Sequence, residues 1–142
     1  MNRAGGFIRS AMRKSPETTI QVEAVAVLRD LVAYQQLPAN LVIFHVPNEG
    51  HRGGAKAKVV GALRKAMGVL AGTPDLVVSL GAAVLYLELK APKGRVSETQ
   101  KAFRRQVEAE GGKYALCRSV AEVVEAVRSM FGASNLPIKG EA

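Results

Sequence analysis

The chain has 142 residues, 48% hydrophobic and 23% charged, a balance expected of one soluble globular domain with a real core. No apolar run reaches the ~18–20 residues that cross a membrane, and the basic N-terminus lacks the apolar segment of a secretory signal. A net charge of +8 points to a polyanionic partner, most simply nucleic acid, and a single cysteine, Cys117, excludes an internal disulfide and a cysteine-based zinc site.

Residues 1–14 carry Arg3, Arg9, Arg13 and Lys14 with no acid, and are expected to form a flexible basic arm. Ser15-Pro16 reads as a helix start, an N-cap followed by proline at the first helical position. That helix is predicted to run to about Gln36, with an apolar stripe of Ile20, Ala24, Val27, Leu28 and Leu31. Leu41 to Val46 is a strand, in which His45 reads as a structural histidine, and Pro47 to Gly54 is a loop. A helix over Ala55 to Ala71 is closed by Gly72. Residues 51–65 are again basic without an acid, which makes Arg52, Lys56 and Lys58 candidate contacts to a phosphate backbone, with Asn48 at the start of the same loop and His51 a weaker one.

Two strands follow, near 75–80 and 83–90, and Ala91-Pro92-Lys93-Gly94 breaks the second. Ser97-x-x-Gln100 is a capping box that opens a helix to about Glu110, ended by Gly111-Gly112. Lys113 to Cys117 is a fourth strand, with Cys117 a small core residue. Ser119-x-x-Glu122 is a second capping box, leading a helix with Val120, Val123, Val124, Val127 and Phe131 on its apolar side. The domain is expected over 15–132, with 133–142 a loose tail and no room for further domains. The order α-β-α-β-β-α-β-α predicts an α/β sandwich, a mixed central sheet flanked by helices.

The hairpin carries the chemistry. Gly81-Ala82 suits a two-residue type II′ turn, and pairing about it sets Asp75 opposite Glu88. Opposed side chains share a face with Cβ atoms roughly 5 Å apart, and Lys90, two residues on, points the same way. Two facing carboxylates repel each other, and a divalent cation between them would reverse that penalty. Other chemistries lack their signatures: there is no HExxH, and the glycine-rich stretch from Gly50 lacks the second glycine and the Ser/Thr of a phosphate loop. No local sequence supports a Ser-His-Asp triad, and no Trp is present to stack on sugars.

Several ordered stretches carry a family resemblance. They are Glu17-x-x-Ile20-Gln21, Pro47-Asn48-Glu49-Gly50, Gly72-Thr73-Pro74-Asp75-Leu76, Leu87-Glu88-Leu89-Lys90-Ala91-Pro92-Lys93-Gly94, Ser97-x-x-Gln100 and Cys117-Arg118-Ser119. Together they resemble the VRR-NUC family of the PD-(D/E)XK nuclease superfamily, with Pro74-Asp75 as the PD element and Glu88-Leu89-Lys90 as the ExK element. The resemblance implies a restriction-endonuclease-like sandwich and hydrolysis of DNA phosphodiesters with Mg²⁺ or Mn²⁺. Asp75 and Glu88 would be metal ligands, and the Leu89 carbonyl another. An acid on the first helix would complete the set; Glu17 fits that place, with Glu23 the alternative. Lys90 would orient or deprotonate the attacking water. Gln100 would sit near that water or the scissile phosphate, although its place in the capping box already explains it.

With only 4 Phe and 3 Tyr, base stacking and sequence readout are not evident, so structure-selective cutting of branched DNA is expected: Holliday junctions or flaps, in repair or recombination. A domain this small would span a junction most easily as a symmetric homodimer. The expected location is the cytoplasm of a bacterial cell or a phage-infected host, away from membranes. The competing expectation is a non-catalytic nucleic-acid-binding module that retains the fold.

Overall fold

The strands lie in space as they lie in the chain: β1 (Val42–His45), β2 (Leu76–Leu80), β3 (Ala83–Leu89) and β4 (Lys113–Cys117). The computed structural model describes residue 9, residues 15–47 and residues 54–132. Most of the basic arm, the centre of the first loop with Asn48, His51 and Arg52, and the 133–142 tail lie outside the described residues. The helices described in full are α1 (Pro16–Ala33), α2 (Ala55–Ala66), α3 (Glu98–Ala109) and α4 (Val120–Phe131). β1 pairs antiparallel with β2, β2 antiparallel with β3, and β3 parallel with β4, so the sheet is mixed and the expected element order holds.

Side-chain alternation along the strands divides the protein into two layers. On one face Leu76, Val78, Leu85, Leu87, Leu89 and Cys117 pack against Ala24 and Leu28 of α1 and Val123, Val127 and Phe131 of α4. Truncating one of these leucines to alanine costs about 2–5 kcal/mol. The other face turns Tyr86 and Tyr114 towards Phe103 of α3, with ring centroids 5.4 and 6.3 Å apart. Glu88 has the parity of Tyr86 and therefore lies on the α3 side. The sheet's second face is covered, and Glu88 is buried rather than solvated.

The hairpin forms as its sequence dictates. Gly81 has φ +58° and Ala82 stays out of the left-handed region, which is the II′ pattern, and the ladder runs Leu76↔Leu87 to Leu80↔Ala83. α3 opens on a reciprocal Ser97/Gln100 capping box. The second box is only half formed: Ser119 accepts the Glu122 N–H, but Glu122 Oε2 takes the Arg118 N–H instead of returning to Ser119.

Several boundaries differ from expectation. α1 stops at Ala33, not Gln36, because Gln35 turns left-handed at φ +61° and sends Leu37 back into the core. β1 loses one residue at each end relative to 41–46. α2 stops at Ala66, not Ala71. Gly68, at φ +95°, gives its N–H to Lys65 while Val69 donates to Arg64, a Schellman end that makes Gly68 the terminator instead of Gly72. α2 buries none of its residues, and Val27 of α1, expected on the apolar stripe, is 37% exposed.

Candidate active site

Continuing the β2–β3 register one step beyond Leu76↔Leu87 places Asp75 opposite Glu88, at the end of the hairpin remote from its turn. Asp75 is locked by the main chain around it. Its Oδ2 accepts the Leu89 N–H at 2.8 Å. Its carbonyl accepts the Val46 N–H at 3.0 Å and lies 2.7 Å from His45 Nδ1. A carbonyl only accepts, so Nδ1 carries the proton in this contact.

Glu88 is 2% exposed. Its Oε1 accepts the side-chain amide of Gln100 at 2.5 Å and lies 3.5 Å from Lys90 Nζ. Its Oε2 is buried without a hydrogen-bond partner. Lys90 Nζ is also 4.0 Å from Glu17 Oε1, and the same Glu17 oxygen accepts the Ala91 N–H at 3.5 Å. The structure therefore brings Glu17, Asp75, Glu88, Lys90 and Gln100 together. Glu23 is exposed on α1, and Glu17, not Glu23, is the helix acid that reaches Lys90. Gln21 lines a separate cavity of about 400 Å³ between α1 and β1. Lys56 and Lys58 are exposed on α2.

The electrostatics follow from this crowding. Burial, and then the charge of Asp75, push the Glu88 carboxyl up to about 7, against the opposing pull of Lys90. Burial also raises Asp75, with the Leu89 N–H bond opposing and Glu17 adding repulsion. The Tyr114 hydroxyl is buried without a partner, and burial together with the Glu88 charge drives it well above the ordinary phenol range.

Two contacts went unread in the sequence. His45 reads from the sequence as a structural histidine, and in the structure it holds the main chain of Asp75 itself. Arg118 reads from the sequence only as part of a matching turn. Its Nη1 donates to the carbonyls of Ala91 and Gly94, both at 2.8 Å, and of Pro92 at 3.3 Å, while Lys90 N–H bonds Cys117 O at 3.0 Å. The end of β4 thus clamps the turn that carries Lys90. Neither contact has a local sequence signal, because each partner lies more than twenty residues away.

No group of three or more His, Cys, Asp or Glu side chains among the described residues forms a ready metal cage. Lys90 Nζ stands between Glu17 and Glu88. The donor set nevertheless suits a hard cation: it is all oxygen, and the unpartnered Glu88 Oε2 is a buried anionic acceptor in need of positive charge.

A mixed sheet between helices, with an Asp and a Glu-x-Lys meeting at one end of a hairpin, defines a nuclease-type fold of the PD-(D/E)XK superfamily. The chain belongs to the VRR-NUC domain family, whose model matches residues 23–121. That span holds Asp75, Glu88, Lys90, Gln100 and Arg118; Glu17 stands before it and rests on geometry alone. A solved structure described as a VRR_NUC domain protein shares the fold at TM-score 0.57 and 21% identity, over 78% of this chain and 87% of that one. No curated protein matches the chain.

Proposed function

We propose that the chain is a divalent-metal-dependent DNA endonuclease selective for branched DNA. One observation supports this most: Glu88 is a buried carboxylate with one oxygen unpartnered, beside a second acid and a lysine. Such a group costs several kcal/mol and calls for an explanation in function. Asp75, Glu88, Glu17 and the Leu89 carbonyl would hold Mg²⁺ or Mn²⁺. When bound, a cation of this kind neutralises phosphate charge and lowers the pKa of water.

The chain's own residues do the rest. Lys90 sets an ammonium where phosphate charge builds and orients the attacking water. Gln100 fixes the rotamer of Glu88, and Arg118 fixes the turn behind Lys90. The water oxygen bonds to phosphorus, the bond to the leaving 3′-oxygen or its counterpart breaks in line with it, and one water proton ends on the leaving group. The +8 charge, including Lys56 and Lys58, supplies affinity for the backbone without sequence preference. Selectivity for branched substrates fits a surface with few aromatic residues. β1 ends the sheet with Val42 and Phe44 53% and 48% exposed, an apolar edge on which a second copy would build a homodimer.

The test offers purified protein flap, splayed-arm, four-way and plain duplex DNA with Mg²⁺, Mn²⁺ or EDTA. Metal-dependent cutting of the branched forms, abolished by Asp75→Asn or Lys90→Ala with DNA binding retained, is the expected result. Binding without cutting by the unmodified chain would make it a non-catalytic module instead. Light scattering tests the dimer, and an active monomer would end that part of the reading.

A further inference from the structure

A groove of about 860 Å³ is lined by α2, the segment 68–73 and the start of α3. Gln100, which holds Glu88 Oε1, forms part of its wall, so the groove adjoins the carboxylate site. Arg64 and Lys65 line it, and no acid does among the described residues. Its apolar surface includes Val69 and Leu70, which stay 43% and 52% exposed. Exposed apolar side chains beside cations, inside a concavity, need a partner that is apolar in one part and anionic in another.

Resting on the nuclease reading, we infer that this groove takes an unpaired DNA strand and leads it to the site past Gln100. A single strand offers base faces to Val69 and Leu70 and phosphates to Lys65, and to Arg64, which also donates to the Pro47 carbonyl at 3.4 Å. A duplex keeps its base faces stacked inside and presents sugar and phosphate, which leaves the apolar surface unmatched. The volume lies in the ~300–1,000 Å³ range of sites for drug-sized molecules, room for a short stretch of strand. The N-terminal end of α3 adds positive potential, although Ser97 and Gln100 already satisfy each other there. No aromatic residue among the described residues lines the groove, so grip without base preference is expected.

Gly61 supplies a clean test. It lines the groove within α2, and a Cβ added there meets nothing within 4 Å. Gly61→Leu therefore adds an apolar side chain at the groove wall without a clash, while raising helix propensity. Lys65→Glu reverses a charge at an exposed position. Fluorescence anisotropy of the full chain with labelled oligothymidine and with a blunt duplex, in EDTA at fixed salt, reads the effect. Each variant is expected to weaken oligothymidine binding about tenfold and blunt-duplex binding about twofold or less. Equal losses on both DNAs, or unchanged oligothymidine binding, would overturn the inference. If Gly61→Leu loses helical circular dichroism, Lys65→Glu decides alone. Wild-type protein that cuts no DNA with Mn²⁺, while both variants selectively lose oligothymidine binding, would refute the nuclease reading and leave the groove's preference for unpaired DNA supported. Protein that cuts branched DNA while both variants bind oligothymidine like wild type would refute the groove alone.

Discussion

Gln100 donates its amide to Glu88 at 2.5 Å and accepts the Ser97 N–H at 2.9 Å with its other terminal atom. One side chain thus joins the cap of α3 to the buried carboxylate of β3. Gln100→Ala removes both bonds, leaving Glu88 with less compensation and Ser97 N–H without its acceptor. A loss of about 2 kcal/mol is expected by denaturant titration. Glu88 also becomes harder to ionise, so the acidic limb of the cleavage pH profile should move to higher pH.

The raised Glu88 carboxyl makes the metal-free protein pH-sensitive. It titrates at about 7 when folded, against 4.5 for the ordinary group. Between those values the folded chain holds more protons than the unfolded one, so stability falls as pH rises through that window. Above about pH 7 the full penalty, on the order of 3 kcal/mol, is present. Asp75 shifts in the same direction. Melts in EDTA across this window should show the decline in wild type and a flatter curve in Glu88→Gln, which should be the more stable variant at the alkaline end and cut no DNA.

Divalent metal should reverse the same penalty. At a hundredfold excess over its Kd, Mn²⁺ adds about 2.7 kcal/mol if it binds only the folded chain. Thermal melts should show this gain in wild type and lose it in Glu88→Gln. Ionisation of Glu88 accompanies binding, so apparent affinity by calorimetry should rise with pH and level off above about 7.

Arg118 connects three carbonyls through one nitrogen, and its loss reaches Lys90 indirectly. Arg118→Ala should cost about 2 kcal/mol and lower the cleavage rate tenfold or more, with DNA binding by anisotropy unchanged. Arg118→Lys should recover only part of the rate, because a flexible ammonium lacks the planar fork of guanidinium.

Gly72 approaches the backbone of Thr99 so closely that an added Cβ would lie 2.2 Å from its carbonyl oxygen, and φ is +80°. Gly72→Ala should destabilise by more than about 2 kcal/mol and separate the Asp75 segment from Gln100. The comparison is Gly61→Leu, for which denaturant titration should show no comparable loss.

Much of the site was legible because its pieces are local. Turn chemistry at Gly81-Ala82 sets the register from Leu76↔Leu87 to Leu80↔Ala83, and that register brings Asp75 to Glu88. The Ser97 box likewise places Gln100 within one turn of its helix. What stayed hidden depends on distant partners. Val27 fits the helical period but α4 and the sheet take a narrower stripe of α1, and Gln35 leaves the helix so that Leu37 can reach the core. Gly72 reads as the end of the second long helix, but the Schellman bonds form at Gly68, while Gly72 serves the contact with Thr99. Arg118 becomes informative only when β4 lies beside β3.

The short hairpin also constrains chain length. Strand side chains alternate, so one residue inserted within β2 or β3 would turn one of the two acids towards the layer shared with Leu87 and Leu89. Identity alone therefore does not preserve the acidic pair; the twelve positions between 75 and 88 matter equally. Insertions in descendants of this chain should accumulate in loops, and a homologue bearing an odd-length insertion within either strand of the hairpin should have lost cleavage even with both acids intact.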